Sequence, residues 1–239
     1  PAGFSLSQAV RQQDVLLSYP YQSIRPFIGM LYQAARDPSV ISIKMTLYRM
    51  AHESKIIETL VSAAENGKEV VAIVELRARF DEQSNIDYSK LTLITRKRDG
   101  KIEYISQIGT GNYNEKTSEQ YTDLSFITAD QEIGAELAAV FNNLAVERLT
   151  DNTGELLVAP LCFKSVLLKE MDREIEAAHN GRPARIWLKC NSVSDKDIIE
   201  RISAASCAGI SVRMIVRGIC CIKAGVPGLT EHVTVRSIV

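Results

Sequence analysis

Two α/β lobes related by an internal repeat are the fold this sequence predicts, and two observations lead there. The first is alternation: short apolar, strand-like runs alternate with amphipathic helical stretches along most of the 239 residues. The second is self-similarity. "IIETLVSAAENGKEVVAIV" from Ile56 and "IIERISAASCAGISVRMIV" from Ile198 align without a gap at an offset of 142. The alignment matches Ile56 with Ile198, Glu58 with Glu200, Ala63 with Ala205, Gly67 with Gly209, Val70 with Val212 and Ile73 with Ile215. Lys44 and Lys189 fall in the strands that precede the two copies, with a loop three residues shorter in the second. The polar stretch "ERLTDNTGE" (Glu147–Glu155) is the linker, so the expected lobes are 1–148 and 149–239.

Each element has its own signal. "VISIKMTLY" (Val40–Tyr48) alternates with period two and predicts a strand. "SKIIETLVSAAENG" carries Ile56, Ile57, Leu60, Val61 and Ala64 on one helical stripe and ends at Asn66-Gly67. "EVVAIVEL" is an apolar run suited to a buried strand. "LTLITRK" and "IEYISQI" flank Asp99-Gly100, a strong two-residue hairpin signal. "DLSFITA" predicts a further strand, and "DQEIGAELAAVFNNLA" a helix capped by Asp130. Beyond the linker, "LLVAPL" (Leu156–Leu161) reads as a strand and "KSVLLKEMDREIEAAHNG" as a helix. "ARIWLKC", "SVRMIVRG" and "HVTVRSIV" read as strands, with "SDKDIIERISAASCAG" as a helix between the first two.

Composition narrows the function only by exclusion. Apolar residues make up 46% and charged residues 24%, and 28 basic against 29 acidic residues leave a net charge of −1. Bulk charge therefore gives no reason to expect nucleic-acid binding or adsorption to a membrane surface. No apolar run approaches the ~20 residues of a membrane span. The opening "PAGFSLSQAVRQQD" lacks a signal-peptide core, and a start at Pro1 is read as part of a longer chain. Cys162, Cys190, Cys207, Cys220 and Cys221 form no CxxC pair, so reduced thiols and a cytoplasmic setting are expected.

"IGTGNYNEKTSEQYTD" (Ile108–Asp123) looks at first like a phosphate loop. A Walker loop needs a glycine directly before its Lys-Thr, yet Lys116-Thr117 follows Glu115, whose carboxylate repels phosphate. The arginines say more. Arg49, Arg77, Arg79 and Arg217 all stand at or just beyond the carboxyl ends of predicted strands, where open α/β sheets bind ligands. Guanidinium forks there suit a polyanion. The alternative is a solvated or carboxylate-paired arginine, and Asp81 and Glu82 stand close to Arg79.

The sequence resembles the C-terminal catalytic half of the polyphosphate kinases of the first type. The resemblance rests on "QDVLLSYPY", "IKMTLYRMA", "NGKEVVAIVELRARFDEQSNI", "GTGNYNEKT", "YTDLSFITADQEIG", "GRPARI", "VRGICCIKAGVPGL" and "VRSIV", spread over nearly the whole chain. It implies two phospholipase-D-like α/β domains, in agreement with the repeat. It also implies reversible transfer of the terminal phosphoryl group of ATP to polyphosphate, through a phosphohistidine and with Mg²⁺. By the same resemblance Arg49 and Arg79 match arginines that the family associates with magnesium. A guanidinium has no lone pair for a cation, so both are expected to clamp phosphate beside the metal. Tyr121 and Arg217 match ATP contacts, and Asn112 matches the asparagine of the phospholipase-D-type signature. Arg49, Arg79, Tyr121 and Arg217 are expected to face one cleft. The intact protein is expected to be a homo-oligomer, cytoplasmic or peripheral to the membrane.

The departures concern the histidines. His52, His179 and His232 are the only three, and none stands where the family carries its catalytic ones. "NIDY" runs almost directly into "SKLTLITRK", so a segment near 88–91 is expected to be missing, and the second lobe to stop short of its own histidine. Lys90 is either the lysine of the family's "HSK" strand or the remnant of a helix. The 239 residues alone are therefore expected not to become phosphorylated. Two other classes stay open: a phosphodiesterase of the same architecture, which needs paired histidines, and a catalytically silent phosphate-binding module.

Overall fold

The computed structural model describes residues 5–48, 54–75, 90–146, 148, 154–158 and 162–237. The chain divides into two compact units, 1–161 and 162–239. The division falls later than the linker suggests, and Leu156 and Val158 pack with the first unit.

In the first unit, α1 (Leu6–Ala9), β1 (Val15–Tyr19) and α2 (Arg25–Arg36) precede the predicted strand, which is β2 (Val40–Tyr48). Then follow α3 (Lys55–Glu65), β3 (Glu69–Glu75), β4 (Lys90–Arg98), β5 (Lys101–Gly109), α4 (Glu115–Ser118), β6 (Asp123–Thr128) and α5 (Gln131–Ala145). The six strands run in the order β1-β6-β5-β4-β2-β3. Only β2 and β3 pair in parallel among them, as expected of two strands joined through a helix. Asp99 and Gly100 take φ of 52° and 78°, the two positive values of a type I′ hairpin turn, and so pin Arg98 opposite Lys101.

Both faces of this sheet are covered. On one, Phe27, Met30 and Leu31 of α2 and Ile56 and Leu60 of α3 pack on Ile43, Met45, Ile94 and Ile127. On the other, Leu137, Val140 and Phe141 of α5 pack on Leu91 and Leu93. The period-two alternation of β4 and β5 is what supplies both layers. Leu156 joins this second core, and Glu136 of α5 accepts hydrogen bonds from the backbone N–H groups of Glu155 and Leu156. Leu156–Val158 are consequently not a strand, contrary to the expectation from "LLVAPL". A short apolar run satisfied by a helix core needs no ladder partner.

Among the described residues the second unit has one helical layer. It comprises α6 (Phe163–His179), β7 (Arg185–Cys190), α7 (Lys196–Cys207), β8 (Ser211–Val216) and β9 (Val233–Arg236). The strands form a parallel sheet in the order β7-β8-β9. Met171 of α6 and Ile202 and Ala205 of α7 pack on Ile186, Val212, Met214 and Val233. Asp195 caps α7 by accepting from Ile198 N–H at 3.1 Å. Lys164 at the start of α6 bridges Asp195 and Asp197 at 2.7 and 2.6 Å.

The repeat is reproduced in detail. β2–α3–β3 and β7–α7–β8 are both parallel strand–helix–strand units, in separate sheets. Gly67 and Gly209 take φ of 78° and 80°. In the first copy Gly67 N–H donates to Ala64 C=O and Lys68 N–H to Ala63 C=O; in the second, Gly209 donates to Ser206 and Ile210 to Ala205. The same helix-terminating motif ends α6 at Gly181, and its left-handed position favours glycine each time. The preceding strands need one correction. Glu69 lies opposite Ser42, and its repeat partner Ser211 lies opposite Arg185. By ladder register Lys44 thus corresponds to Trp187 rather than Lys189, and the loop is one residue shorter in the second copy.

One ion pair closes the amino end of β2. Asp37 accepts from Ser39 N–H at 2.8 Å and from Ser39 Oγ at 2.6 Å, and its Oδ2 lies 3.1 Å from Arg96 Nη2. Burial pushes the Asp37 carboxyl upward, but the Ser39 bonds and the Arg96 and Arg98 charges hold it below its ordinary value. Arg96 is buried, and desolvation, followed by the Arg11 charge, lowers its guanidinium. Asp37→Asn is expected to cost about 2–3 kcal/mol, because it leaves a buried cation without its counter-charge. The sign is that of a depressed carboxylate. The pair's contribution is full above the ordinary carboxylate value of 3.8 and is lost as pH falls through the lower folded value. Urea unfolding of wild type and variant at neutral pH and at progressively acid pH checks this; a gap that does not shrink in acid contradicts it.

Candidate functional site

In the first unit the site residues gather at one end of the sheet. Lys90, half-buried, opens β4 directly opposite Gly109, the last residue of β5. The segment Thr110–Tyr121 therefore leaves the sheet beside Lys90. It is stitched at its base, where Thr110 N–H donates to Leu124 C=O at 3.0 Å and Leu124 N–H to Thr110 Oγ1 at 2.9 Å. Thr110 Oγ1 in turn donates to Asp123 Oδ1 at 2.9 Å. Asp123 then lies across Gly111, where an added Cβ would stand 2.3 Å from its carboxylate. The second glycine of "GTGN" is thus explained by the close approach of a carboxylate and not by a phosphate nest.

Tyr113 anchors the loop from within. Its ring is buried and stacks on Phe27 of α2 with centroids 5.4 Å apart. Its hydroxyl accepts from Thr92 Oγ1 at 2.9 Å and donates to Gln107 Oε1. Gln107 Nε2 donates onward to Ser125 Oγ at 2.9 Å. Burial raises the Tyr113 phenol far above its usual value, outweighing its hydrogen bonds with Thr92 and Gln107. The hydroxyl therefore stays protonated and keeps its donor role.

On either side of Tyr113 the polar side chains divide their work. Asn114 Oδ1 accepts from Lys116 N–H at 3.0 Å and Thr117 N–H at 3.1 Å, capping α4. Those amides, which a Walker-type loop would offer to phosphate, are occupied. Asn112 Oδ1 and Glu115 Oε1 are shielded from solvent and accept no hydrogen bond. Both are oxygen acceptors. Tyr121 is exposed at the end of the segment.

In the second unit Arg217 follows the last residue of β8, the central strand, at its carboxyl end. Its backbone N–H donates to Cys190 C=O at 3.3 Å, and Gly218 N–H to Asn191 C=O at 2.6 Å. Val193 and Cys220 form a further bridge, flanked by Val193 N–H to Ile219 C=O and Cys221 N–H to Val193 C=O, both 2.8 Å. These bonds fix the "RGICC" segment against the end of β7. All five cysteines are free, as expected from their spacing.

Of the predicted site residues, Lys90, Asn112 and Tyr121 belong to the end of the first sheet and Arg217 to the end of the second. Arg49, Arg77, Arg79 and His52 lie outside the described residues, so the one cleft expected for Arg49, Arg79, Tyr121 and Arg217 falls outside them as well. His179, at the end of α6, and His232, 3.4 Å from Glu231 Oε1, are exposed. Sequence reasoning gave no role to Tyr113, Glu115 or Asp123. The signal for Tyr113 was present: it is the one aromatic inside a run of small polar residues, which marks an anchor.

Tyr113→Phe keeps the ring stack but strands Thr92 Oγ1 and Gln107 Oε1 in the interior. It is expected to lower stability by about 1–3 kcal/mol. Equilibrium unfolding in urea measures this, and a neutral substitution would show that the hydroxyl does not hold the loop.

The same ordering of elements is found in known proteins. The family model described as polyphosphate kinase C-terminal domain 1 matches residues 5–91 and 87–149, and C-terminal domain 2 matches residues 156–239. A polyphosphate kinase of Staphylococcus saprophyticus is 39% identical over 249 residues, covering 95% of this chain and 35% of that protein. One of Pseudomonas aeruginosa is 40% identical over 256 residues, covering 98% of this chain and 37% of that protein. The crystal structure of polyphosphate kinase from Porphyromonas gingivalis superposes with a TM-score of 0.85 at 31% identity, over 99% of this chain and 43% of that one. The chain thus spans a little over a third of the length of the curated relatives it matches. With both C-terminal domain models matched and a shared fold over nearly the whole chain, the chain belongs to the polyphosphate kinase family, to which it contributes C-terminal domains 1 and 2.

Proposed function

We propose that the protein carrying this chain transfers the terminal phosphoryl group of ATP reversibly to inorganic polyphosphate, with a histidine as the intermediate carrier. The observation that carries the reading is the match of both C-terminal domain models to the two folded units in order. In the reaction, a histidine nitrogen attacks the γ-phosphorus, ADP leaves, and a terminal oxygen of polyphosphate then takes the phosphoryl group. That histidine is none of His52, His179 and His232, which stand outside the family's motif positions.

The chain's own residues bind and neutralise. Lys90 and the Asn112 amide stand at the end of the first sheet, where they can stabilise charge that builds on the transferred group. Arg217 offers a fork of donors to ATP phosphates, as do Arg49 and Arg79. Tyr121 offers an exposed ring to the nucleotide. Magnesium enters as part of the MgATP substrate. Magnesium commonly keeps its waters and substrate phosphates as ligands, so a protein cage is not required. Among the described residues no helix is long and apolar enough to cross a membrane.

Incubation of the natural full-length protein with γ-labelled ATP and Mg²⁺ is expected to give label in a polymer that exopolyphosphatase degrades. It should also give acid-labile, base-stable label on the protein. Polymer synthesis without that protein-bound label would refute the carrier step; no polymer at all would refute the activity. Arg217→Ala is expected to lower kcat/KM for ATP by about 10- to 100-fold, the loss of a charge-assisted contact of about 1.5–3 kcal/mol. Unaltered kinetics would remove Arg217 from the nucleotide site.

A further inference from the structure

The two strands that end beside Arg217 run on past their last ladder residues. Cys190 of β7 lies opposite Val216 of β8, and Val193 and Cys220 form the next bridge. Asn191 and Ser192 therefore span the same stretch as Arg217, Gly218 and Ile219, so the β8 side carries one extra residue. This is a bulge, a device that re-aims the side chains on it and recurs next to binding sites. Its far end is anchored, because Val193 is buried and Cys220 packs on the core of the second unit.

Gly218 lies at the middle of the bulge. Its φ is not positive, so backbone freedom is not what calls for glycine here. Space is. A Cβ at Gly218 would stand 2.9 Å from Asn191 C=O and 3.1 Å from Ser192 Oγ. The missing side chain lets Gly218 N–H reach Asn191 C=O at 2.6 Å. It also brings the Ser192 hydroxyl against the backbone that carries Arg217. Ser192 and Arg217 are both exposed, whereas their neighbours Val193 and Val216 are buried. A hydroxyl donor and a guanidinium donor thus stand together beyond the carboxyl end of β8, the central strand of a parallel sheet.

The repeat supplies a second, independent pointer. Ladder register makes Lys44 and Trp187 counterparts. Counting on by the same number of residues from each reaches Arg49 in the first copy and Ser192 in the second. Ser192 therefore holds the sequence position at which the first copy carries an expected phosphate clamp.

We propose that Ser192 is a further nucleotide-binding residue, whose Oγ–H donates to a phosphate oxygen of the MgATP that Arg217 binds. The assignment rests on the kinase reading above and adds to it a contact that the reading does not contain. Arg217 supplies charge; Ser192 supplies a short, neutral donor whose place is fixed by the close approach at Gly218.

The natural full-length protein is compared with Ser192→Ala, Arg217→Ala and the double variant. MgATP binding is measured by equilibrium dialysis, polymer synthesis on the same samples, and thermal melting without ligand. Ser192→Ala is expected to weaken MgATP binding by about tenfold, the loss of a hydrogen bond to a charged group, with the ligand-free melting temperature unchanged. In the Arg217→Ala background the same change is expected to cost less than about threefold, because groups that share one ligand are coupled. Gly218→Ala, which forces the two segments apart, is expected to weaken MgATP binding at least as much as Ser192→Ala. Unaltered MgATP binding in Ser192→Ala or in Gly218→Ala overturns the proposal, and so does a full tenfold loss that persists without Arg217. Weaker binding accompanied by a lower melting temperature overturns it in favour of a structural role. In each of these cases polymer synthesis by the wild type leaves the kinase reading standing. A wild type that neither binds MgATP nor makes polymer overturns both.

Discussion

The position of the first unit's loop depends on a single buried hydroxyl. Tyr113 lies beneath the loop, stacked on Phe27, and its oxygen joins Thr92 on β4 to Gln107 on β5. Both partners are buried, so the loop cannot lift without leaving two polar groups unsatisfied in the interior. Because burial keeps the phenol protonated, the arrangement holds across the neutral range. Everything on either side is set by this point. Asn112 precedes it with a shielded, unpartnered oxygen; Asn114 follows it and spends its own oxygen on α4; Glu115 comes next with a second unpartnered oxygen. The segment that resembled a phosphate loop is thus organised by side chains. The amides of Lys116 and Thr117, which a Walker-type loop would turn to phosphate, already donate to Asn114 Oδ1.

The sequence showed the architecture where a backbone constraint left a residue signature. Gly67 and Gly209 were visible because both terminate helices in a left-handed conformation that other residues avoid. Asp99-Gly100 was visible because both turn positions need positive φ. Periodicity was less reliable. Leu156–Val158 had the pattern of a strand, but apolar residues docked on a helix give the same pattern, and Glu136 satisfied the backbone instead. β1 and α2 went unread although "RPFIGMLYQAAR" carries a proline in its first turn and an apolar stripe through Phe27, Met30, Leu31 and Ala34. The positions of Lys44 and Lys189 misled for a further reason. Matching lysines suggested one register, but hydrogen-bond ladders fixed another. At the site, residues with a family signature were legible. Tyr113, Gln107 and Ser125 were not, because a hydrogen-bonded chain across three strands has no fixed spacing in sequence.

The repeat also shows how little backbone similarity decides about surface chemistry. Lys44 and Trp187 occupy corresponding positions on corresponding strands. In the first unit Lys44 reaches Asn142 of α5 at 3.2 Å and Glu69 at 3.6 Å, and its charge is spent within the unit. In the second, Trp187 is exposed between two arginines. The repeat partner of Arg213 is Val71, and that of Ser211 is Glu69. One copy therefore pairs its single cation with a carboxylate, while the other accumulates cations and has no acid on the same face. The strand–helix–strand unit is common to both; the electrostatic field above it is not.

Two kinds of arginine follow from this, and they serve opposite ends. Arg96 is buried, its partner Asp37 is fixed by Ser39, and the pair closes the amino end of β2. A phosphate oxygen competing for that guanidinium would have to displace a carboxylate already held by two other donors, and to do so in a desolvated place. Such an arginine stabilises and does not exchange. Arg185 and Arg213 are exposed, held by an aromatic ring instead of a carboxylate. An anion that approaches them removes no counter-charge and strips little water, so each contact is modest and reversible.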